Sequence, residues 1–157
     1  KQHLLSLEID LAEYLDLVGP WNVALLNYGM TIRQRRLELV NHLKPLIYQH
    51  YQQICAQAHD CHIDYPYTSE RLQEDHHNHQ TREFYAKRVL VGPHRDDLTI
   101  CLGNQMAKPD ASQGEKTTIL LALKFAELDL VFRYQPTILK VLLLDDLGIT
   151  LDTKRHI

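Results

Sequence analysis

Apolar residues recur at three- and four-residue steps through the first half of the chain. In "LLSLEIDLAEYLDLV" they put Leu4, Leu7, Leu11, Leu15 and Val18 on one stripe, which predicts a helix. Gly19-Pro20 should end it, because proline disfavours the helical conformation of the residue before it. A second, longer helix is predicted from Leu25, Tyr28, Ile32, Leu39, Leu43, Leu46, Ile54 and Ala58. Such a stripe suits packing along a neighbouring helix, as in an antiparallel hairpin or a short coiled coil. Pro45 should kink this helix or split it in two. "DYPYTSERLQEDHHNHQ" is polar and broken, and reads as a loop crossing to another lobe.

From residue 84 the pattern changes. "FYAKRVLVGP" and "DDLTICLGNQ" read as two β segments, the second ending in a Gly-Asn turn. "KTTILLALKFAELDLVF" predicts a helix with Ile119, Leu123, Ala126 and Leu130 toward a core. "TILKVLLL" is apolar without alternation, as expected of a central parallel strand covered on both faces. The expected organisation is a helical arm over residues 1–82 and an α/β lobe over 83–157.

Composition narrows the function classes. The chain has 157 residues, 45% of them hydrophobic, enough to bury a core. A formal net charge of −3 offers no global basic excess, so any nucleic-acid contact has to be local. No run is long and apolar enough to span a membrane, and no signal-peptide pattern opens the chain. Three cysteines fit a reducing cytoplasm better than a disulfide framework. The start at Lys1 rather than Met suggests a fragment or a processed chain.

Two motifs carry candidate chemistry. Ser112 followed by Glu115 is a capping box opening the helix that follows. With Gly114 allowing close approach, the unpaired N–H groups, positive dipole end and Ser112 hydroxyl would make a phosphate seat, although any helix can start this way. "VLLLDD" runs four apolar residues into Asp145 and Asp146. An acid at a strand end can hold magnesium in a nucleotide site, and a second acid can orient or deprotonate the attacking water. Adjacent carboxylates repel unless a divalent cation sits with them, and a plain polar turn is the alternative.

In order, Ser112-Gln113-Gly114-Glu115, a helix, and a hydrophobic strand into Asp145-Asp146 follow the arrangement of ABC-type ATPases, with "LDTKR" where that class has its D-loop. "VGPHRDDL" at 91–98 narrows the match, and the chain resembles the RecF family of SMC-related repair ATPases. "YGMTIRQRRLELVNHLKPLIYQHYQQI" is similar to that family's helical arm, so the resemblance covers nearly the whole sequence. It implies an α/β ATPase half-lobe of the ABC/SMC-like, P-loop NTPase class, with the Walker A part absent, plus an α-helical arm.

The resemblance further implies ATP and Mg2+ as cofactors in the intact protein. Ser112, Gln113, Gly114 and Glu115 would meet the γ-phosphate of ATP held by a second subunit. Asp145 would serve the metal, Asp146 would stand at the catalytic position, and Asp152 would belong to the D-loop. His94 and Arg95 would either reach phosphate or brace two lobes. Glu115 stands where the family usually has Gln, and Ile149 and Thr150 replace its usual Ser-Glu. No G-x-x-x-x-G-K-[ST] is present, so the chain carries half a nucleotide site and should not hydrolyse ATP alone. Implied partners are gapped single-strand/double-strand DNA, a second copy in an ATP-dependent homodimer, and RecO/RecR-type mediators that load recombinase, with no membrane. The competing reading is a non-catalytic SMC-like dimerisation and partner-binding module.

Other signals carry less. Cys55, His59, Cys61 and His62, with His76, His77 and His79, lack paired metal-ligand spacing, and no zinc is expected. Arg33, Arg35 and Arg36 in "RQRR" are either a solvated face pairing with Glu38 and its neighbours or a DNA phosphate contact. Trp21 reads as a helix-packing anchor rather than a base-stacking platform.

Overall fold

The computed structural model describes residues 1, 3–55, 60–137, 139 and 141–144. They form helix α1 (Leu11–Ile54), strand β1 (Cys61–Asp64), helix α2 (Ser69–Ala86), strands β2 (Thr99–Leu102) and β3 (Gln105–Met106), and helices α3 (Ala107–Asp110) and α4 (Gln113–Tyr134). Two compact units interleave along the sequence: residues 1–38 with 66–97, and 39–65 with 98–157. The boundary between residues 82 and 83 therefore falls inside α2.

The first helix does not begin at Leu4. Leu4–Ser6 is a single 3-10 turn, and α1 starts only at Leu11, where the Asp10 carboxylate accepts the Glu13 N–H at 2.9 Å. A side-chain acceptor placed there satisfies one of the helix's unpaired first donors. Neither Pro20 nor Pro45 divides α1, which is one helix of 44 residues. A proline inside a helix costs about 3 kcal/mol in lost bonding and crowding. Burial on either side offsets that here: Tyr14 and Val18 precede Pro20, and Leu43, Leu46 and Ile47 flank Pro45, all buried.

The buried face of α1 differs from the expected stripe. It runs through Tyr14, Val18, Asn22, Gly29, Arg33, Val40, Leu43, Leu46, Ile47, Tyr51 and Ile54, so of the expected positions Val18, Leu43, Leu46 and Ile54 are buried. Tyr28 is 74% exposed, and Trp21, Ile32 and Leu39 also face solvent, so Trp21 is not the buried helix-packing anchor expected.

In the first unit Leu5, Tyr14, Val18 and Phe84 form a cluster flanked by Leu4, Ile9, Leu11 and Val89, with the Tyr14 and Phe84 rings 5.2 Å apart. Burial, and then the charge of Glu83, push the Tyr14 hydroxyl up to about 12. The segment 64–80 is no loop, since α2 occupies most of it. Thr68 caps that helix by accepting the Arg71 N–H at 3.2 Å, and Leu72, His76, Glu83 and Phe84 turn inward. The first expected β segment is absent for the same reason. Residues 84–86 close α2, Lys87 ends it in the left-handed region (φ 51°), and the Leu90 and Val91 N–H groups bond a side chain instead of a strand.

The second unit holds an antiparallel sheet of order β1-β2-β3, with Cys61 opposite Leu102 and Cys101 opposite Met106. The Gly-Asn turn joins β2 to β3, and Gly103 supplies the positive φ of 57°. Cys61, Ile63 and Leu102 are buried, as are Ile119, Leu121, Ala122, Ala126 and Leu130 of α4. His50 pairs with Asp129 at 2.8 Å. Of the run expected to form a parallel strand, the described residues Val141–Leu144 carry no strand structure, and Leu143 is 89% exposed. Such a strand needs paired neighbours and covered faces, and the sheet among the described residues is antiparallel and built from residues 61–106.

Replacing Pro45 with Ala restores a donor and relieves crowding, while loosening the unfolded chain. Pro45→Ala should raise stability by about 1–2 kcal/mol, read as a higher urea midpoint at unchanged slope; a lower midpoint would mean that the proline is fitted to its neighbours.

Candidate functional site

The segment from Leu90 to Asp97 is held by side chains from α1 and α2. Glu83 is 1% exposed, and its Oε1 accepts the N–H groups of Leu90 at 2.7 Å and Val91 at 3.1 Å. Its Oε2 lies 2.6 Å from Lys1 Nζ, which is also 3.2 Å from His76 Nε2. An ammonium only donates, so His76 Nε2 accepts and the ring is neutral. Burial first, and the Lys1 charge next, hold His76 below its ordinary value of 6.5.

Beyond Val91 the chain forms a 3-10 turn at Pro93–Arg95, entered through Gly92 at φ 146°. Gly29 of α1 lies against it: a Cβ there would stand 3.3 Å from Pro93 and 2.8 Å from Leu72. Arg33, 2% exposed, donates to Asp96 through Nε at 2.9 Å and Nη2 at 2.8 Å. Its Nη1 reaches the Thr68 carbonyl at 3.0 Å, and its Cζ lies 5.3 Å from the Tyr67 ring centre. Arg36 donates to the Pro93 carbonyl at 2.6 Å.

These contacts sort the basic residues read from the sequence. Arg33 is interior and committed to Asp96, so it is not presented to DNA. Arg35 is exposed and pairs with Glu38 at 3.3 Å. His94 and Arg95 are exposed, and the partner of Asp96 is Arg33 rather than Arg95. Glu83, Gly29 and Thr68 escaped sequence reasoning. Their only local signal is the spacing of Gly29 and Arg33 along the α1 face.

In the second unit α4 begins as its capping box requires. Ser112 Oγ accepts the Glu115 N–H at 3.3 Å, while the Ser112 N–H and hydroxyl donate to Glu115 Oε2 at 2.8 and 2.7 Å. Ser112 and Gln113 are exposed, and Gly114 and Glu115 half-buried, so this helix start is open to a ligand. Glu115 also lines a cleft of about 350 Å³ with Gly103–Ala107, Asp110 and Ala111. Asp145, Asp146 and Asp152 lie outside the described residues, as do Ile149 and Thr150. Among the described residues no three His, Cys, Asp or Glu side chains are grouped to hold a metal, and no helix is long and apolar enough to cross a membrane.

Removing the guanidinium strands a buried carboxylate. Arg33→Met should cost roughly 3–5 kcal/mol, and Arg33→Met with Asp96→Leu should recover most of it; a urea series on both variants checks this, and a single-variant loss near zero would dismiss the pair as a brace. The His76 shift sets a pH dependence. Below 6.5 the unfolded chain protonates this ring and the folded chain does not, so stability falls as pH drops from 6.5 toward the lowered folded value. His76→Gln should flatten that part of the profile of melting temperature against pH.

No protein-family model matches the chain. It is 36% identical over 147 residues to the DNA replication and repair protein RecF of Thermosynechococcus vestitus, covering 87% of this chain and 38% of that protein. It is 31% identical over 150 residues to the protein of the same name from Syntrophotalea carbinolica, covering 89% and 40%. Among solved structures, that of the recombination mediator protein RecF with ATP superposes at a TM-score of 0.73 and 27% identity, over 89% of this chain and 40% of that one. The structure of the recombination mediator protein RecF-ATPrS superposes at 0.70 and 24% identity, over 77% and 35%. The chain thus spans about two fifths of the length of these curated relatives. Sequence match and superposition agree on one family: the chain belongs to the RecF family, and its mostly helical fold with a small antiparallel sheet is consistent with part of an ABC/SMC-like lobe plus a helical arm.

Proposed function

We propose that this chain serves an ATP-dependent DNA-repair clamp. ATP would close two copies head to tail over gapped DNA, and hydrolysis would release them after RecO/RecR-type mediators have loaded recombinase. The observation that carries the reading is the open, capped start of α4 at Ser112–Glu115, in a chain 36% identical to a DNA replication and repair protein.

The start of α4 supplies what a γ-phosphate held by the second copy needs. It offers N–H groups at Gln113 and Gly114 that have no partner among the described residues and the positive end of a 22-residue helix, with the Ser112 hydroxyl available only once released from Glu115. Asp145 would hold Mg2+, Asp146 would orient or deprotonate the attacking water, and Asp152 would face the partner in the D-loop. These roles follow from motif order, strand then acid pair then D-loop, and from the chemistry of carboxylates beside a triphosphate.

The test is made in a protein of full RecF length containing this sequence. Asp146→Asn should lower the ATPase kcat by about 10²–10⁴-fold, as removal of a general base does, with ATP-dependent dimerisation kept. Ser112→Arg should abolish dimerisation measured by light scattering with ATP. Dimerisation without hydrolysis in the unaltered protein would favour the non-catalytic SMC-like module, and neither activity would overturn both readings.

A further inference from the structure

Two basic stretches far apart in sequence meet in the first unit. Arg36 and Pro93, 57 positions apart, are joined by the 2.6 Å bond from Arg36 Nη1 to the Pro93 carbonyl, and Arg36 keeps 44% of its side chain exposed. The next two side chains, His94 and Arg95, both face solvent, with no side-chain partner among the described residues. The acid beside them turns inward. Asp96 is 1% exposed, is taken by both arms of Arg33, and lies 3.9 Å from Arg36. The exposed Asp97 follows at the far end of the turn.

We propose that Arg36, His94 and Arg95 form one contact site for phosphate oxygens, with the sugar–phosphate backbone of DNA as its ligand. Arg33 touches no ligand and acts as the positioning residue beneath it. The inference rests on the DNA-clamp reading and assigns that reading a surface.

Three features support it. First, a phosphate contact needs guanidinium or imidazole donors held in place, and the carbonyl bond of Arg36 fixes that side chain before any ligand arrives. Secondly, the turn is stiff: Pro93 fixes its own φ, Gly29 lets α1 approach closely, and Glu83 holds the entering N–H groups. Thirdly, a chain of net charge −3 has no global attraction for a polyanion, so binding must come from a few placed donors. Such contacts fix register on the backbone and read no base.

The experiment follows fluorescence anisotropy of a labelled gapped duplex with the purified full chain across a salt series. Each phosphate contact contributes a slope of about −0.9 on double strands or −0.7 on single strands in log K against log salt. Arg36→Ala and Arg95→Ala should each flatten the slope by about that amount, equally for unrelated sequences. Arg33→Lys should weaken binding without removing a contact, so its slope stays near wild type. Lys124→Ala, on α4, should leave binding unchanged.

Arg36 and Arg95 are surface side chains, and unchanged circular dichroism and melting would exclude misfolding. Wild-type slopes in both alanine variants would overturn this site while leaving the clamp reading intact. No DNA binding by the unaltered chain, nor by the full-length protein, would overturn the clamp reading itself. A parallel ATP titration separates the other phosphate source: loss of ATP binding with an unchanged DNA slope would overturn DNA as the ligand.

Discussion

The first unit depends on taking two full charges out of water together. Alone, a buried Arg33 or Asp96 would be prohibitively costly; as a two-pronged pair each satisfies the other's donors or acceptors. The same guanidinium has a third arm on the Thr68 carbonyl, and Thr68 caps α2 with its hydroxyl. One side chain therefore ties the middle of α1 to the start of α2 and to the turn at Pro93–Arg95. Ion pairs of this kind contribute little net stability compared with apolar packing, although removing one partner alone is costly. Position, rather than strength, is what the turn gains from it.

How much of this was legible depends on whether the cause was local. Helix α4 carries its own start signal and an apolar face, and it forms as the sequence indicates, from Ser112 onward. The hairpin turn at Gly103-Asn104 is equally local. Helix α1 was legible in kind but not in face. Its inward side includes Asn22, Gly29 and Arg33, whose polarity or small size hides the period, while Tyr28, Ile32 and Leu39 on the outward side mimic a stripe. Asp10 marks the true start, although Leu4 and Leu7 precede it on helix-like spacing. Helix α2 was invisible to hydrophobic periodicity, because two of its inward positions are His76 and Glu83, buried through contacts with Lys1 and the Leu90–Val91 backbone. The apolar run ending at Leu144 shows the reverse case: its described residues Val141–Leu144 carry no strand structure, since apolar character alone supplies no neighbour to pair with.

The candidate sites divide along the same line. The Ser112–Glu115 box was readable to the atom, since three consecutive residues and a cap define it. The convergence of Arg36 with Pro93 was not, because nothing within a dozen residues of either announces the other. Arg33 looked like surface charge in a basic run, and only its burial beside Asp96 and Tyr67 reveals a structural role. The roles of Asp145, Asp146 and Asp152 rest on motif order and family membership.

The Ser112 hydroxyl has a single proton, and Glu115 holds it at 2.7 Å. An incoming anion can accept that proton only by evicting a carboxylate of like sign, whereas a neutral amide at the same position would yield without charge repulsion. The helix tip is thus self-occupied at rest. An anion seated at this tip would have to displace that internal hydrogen bond before the hydroxyl could serve it.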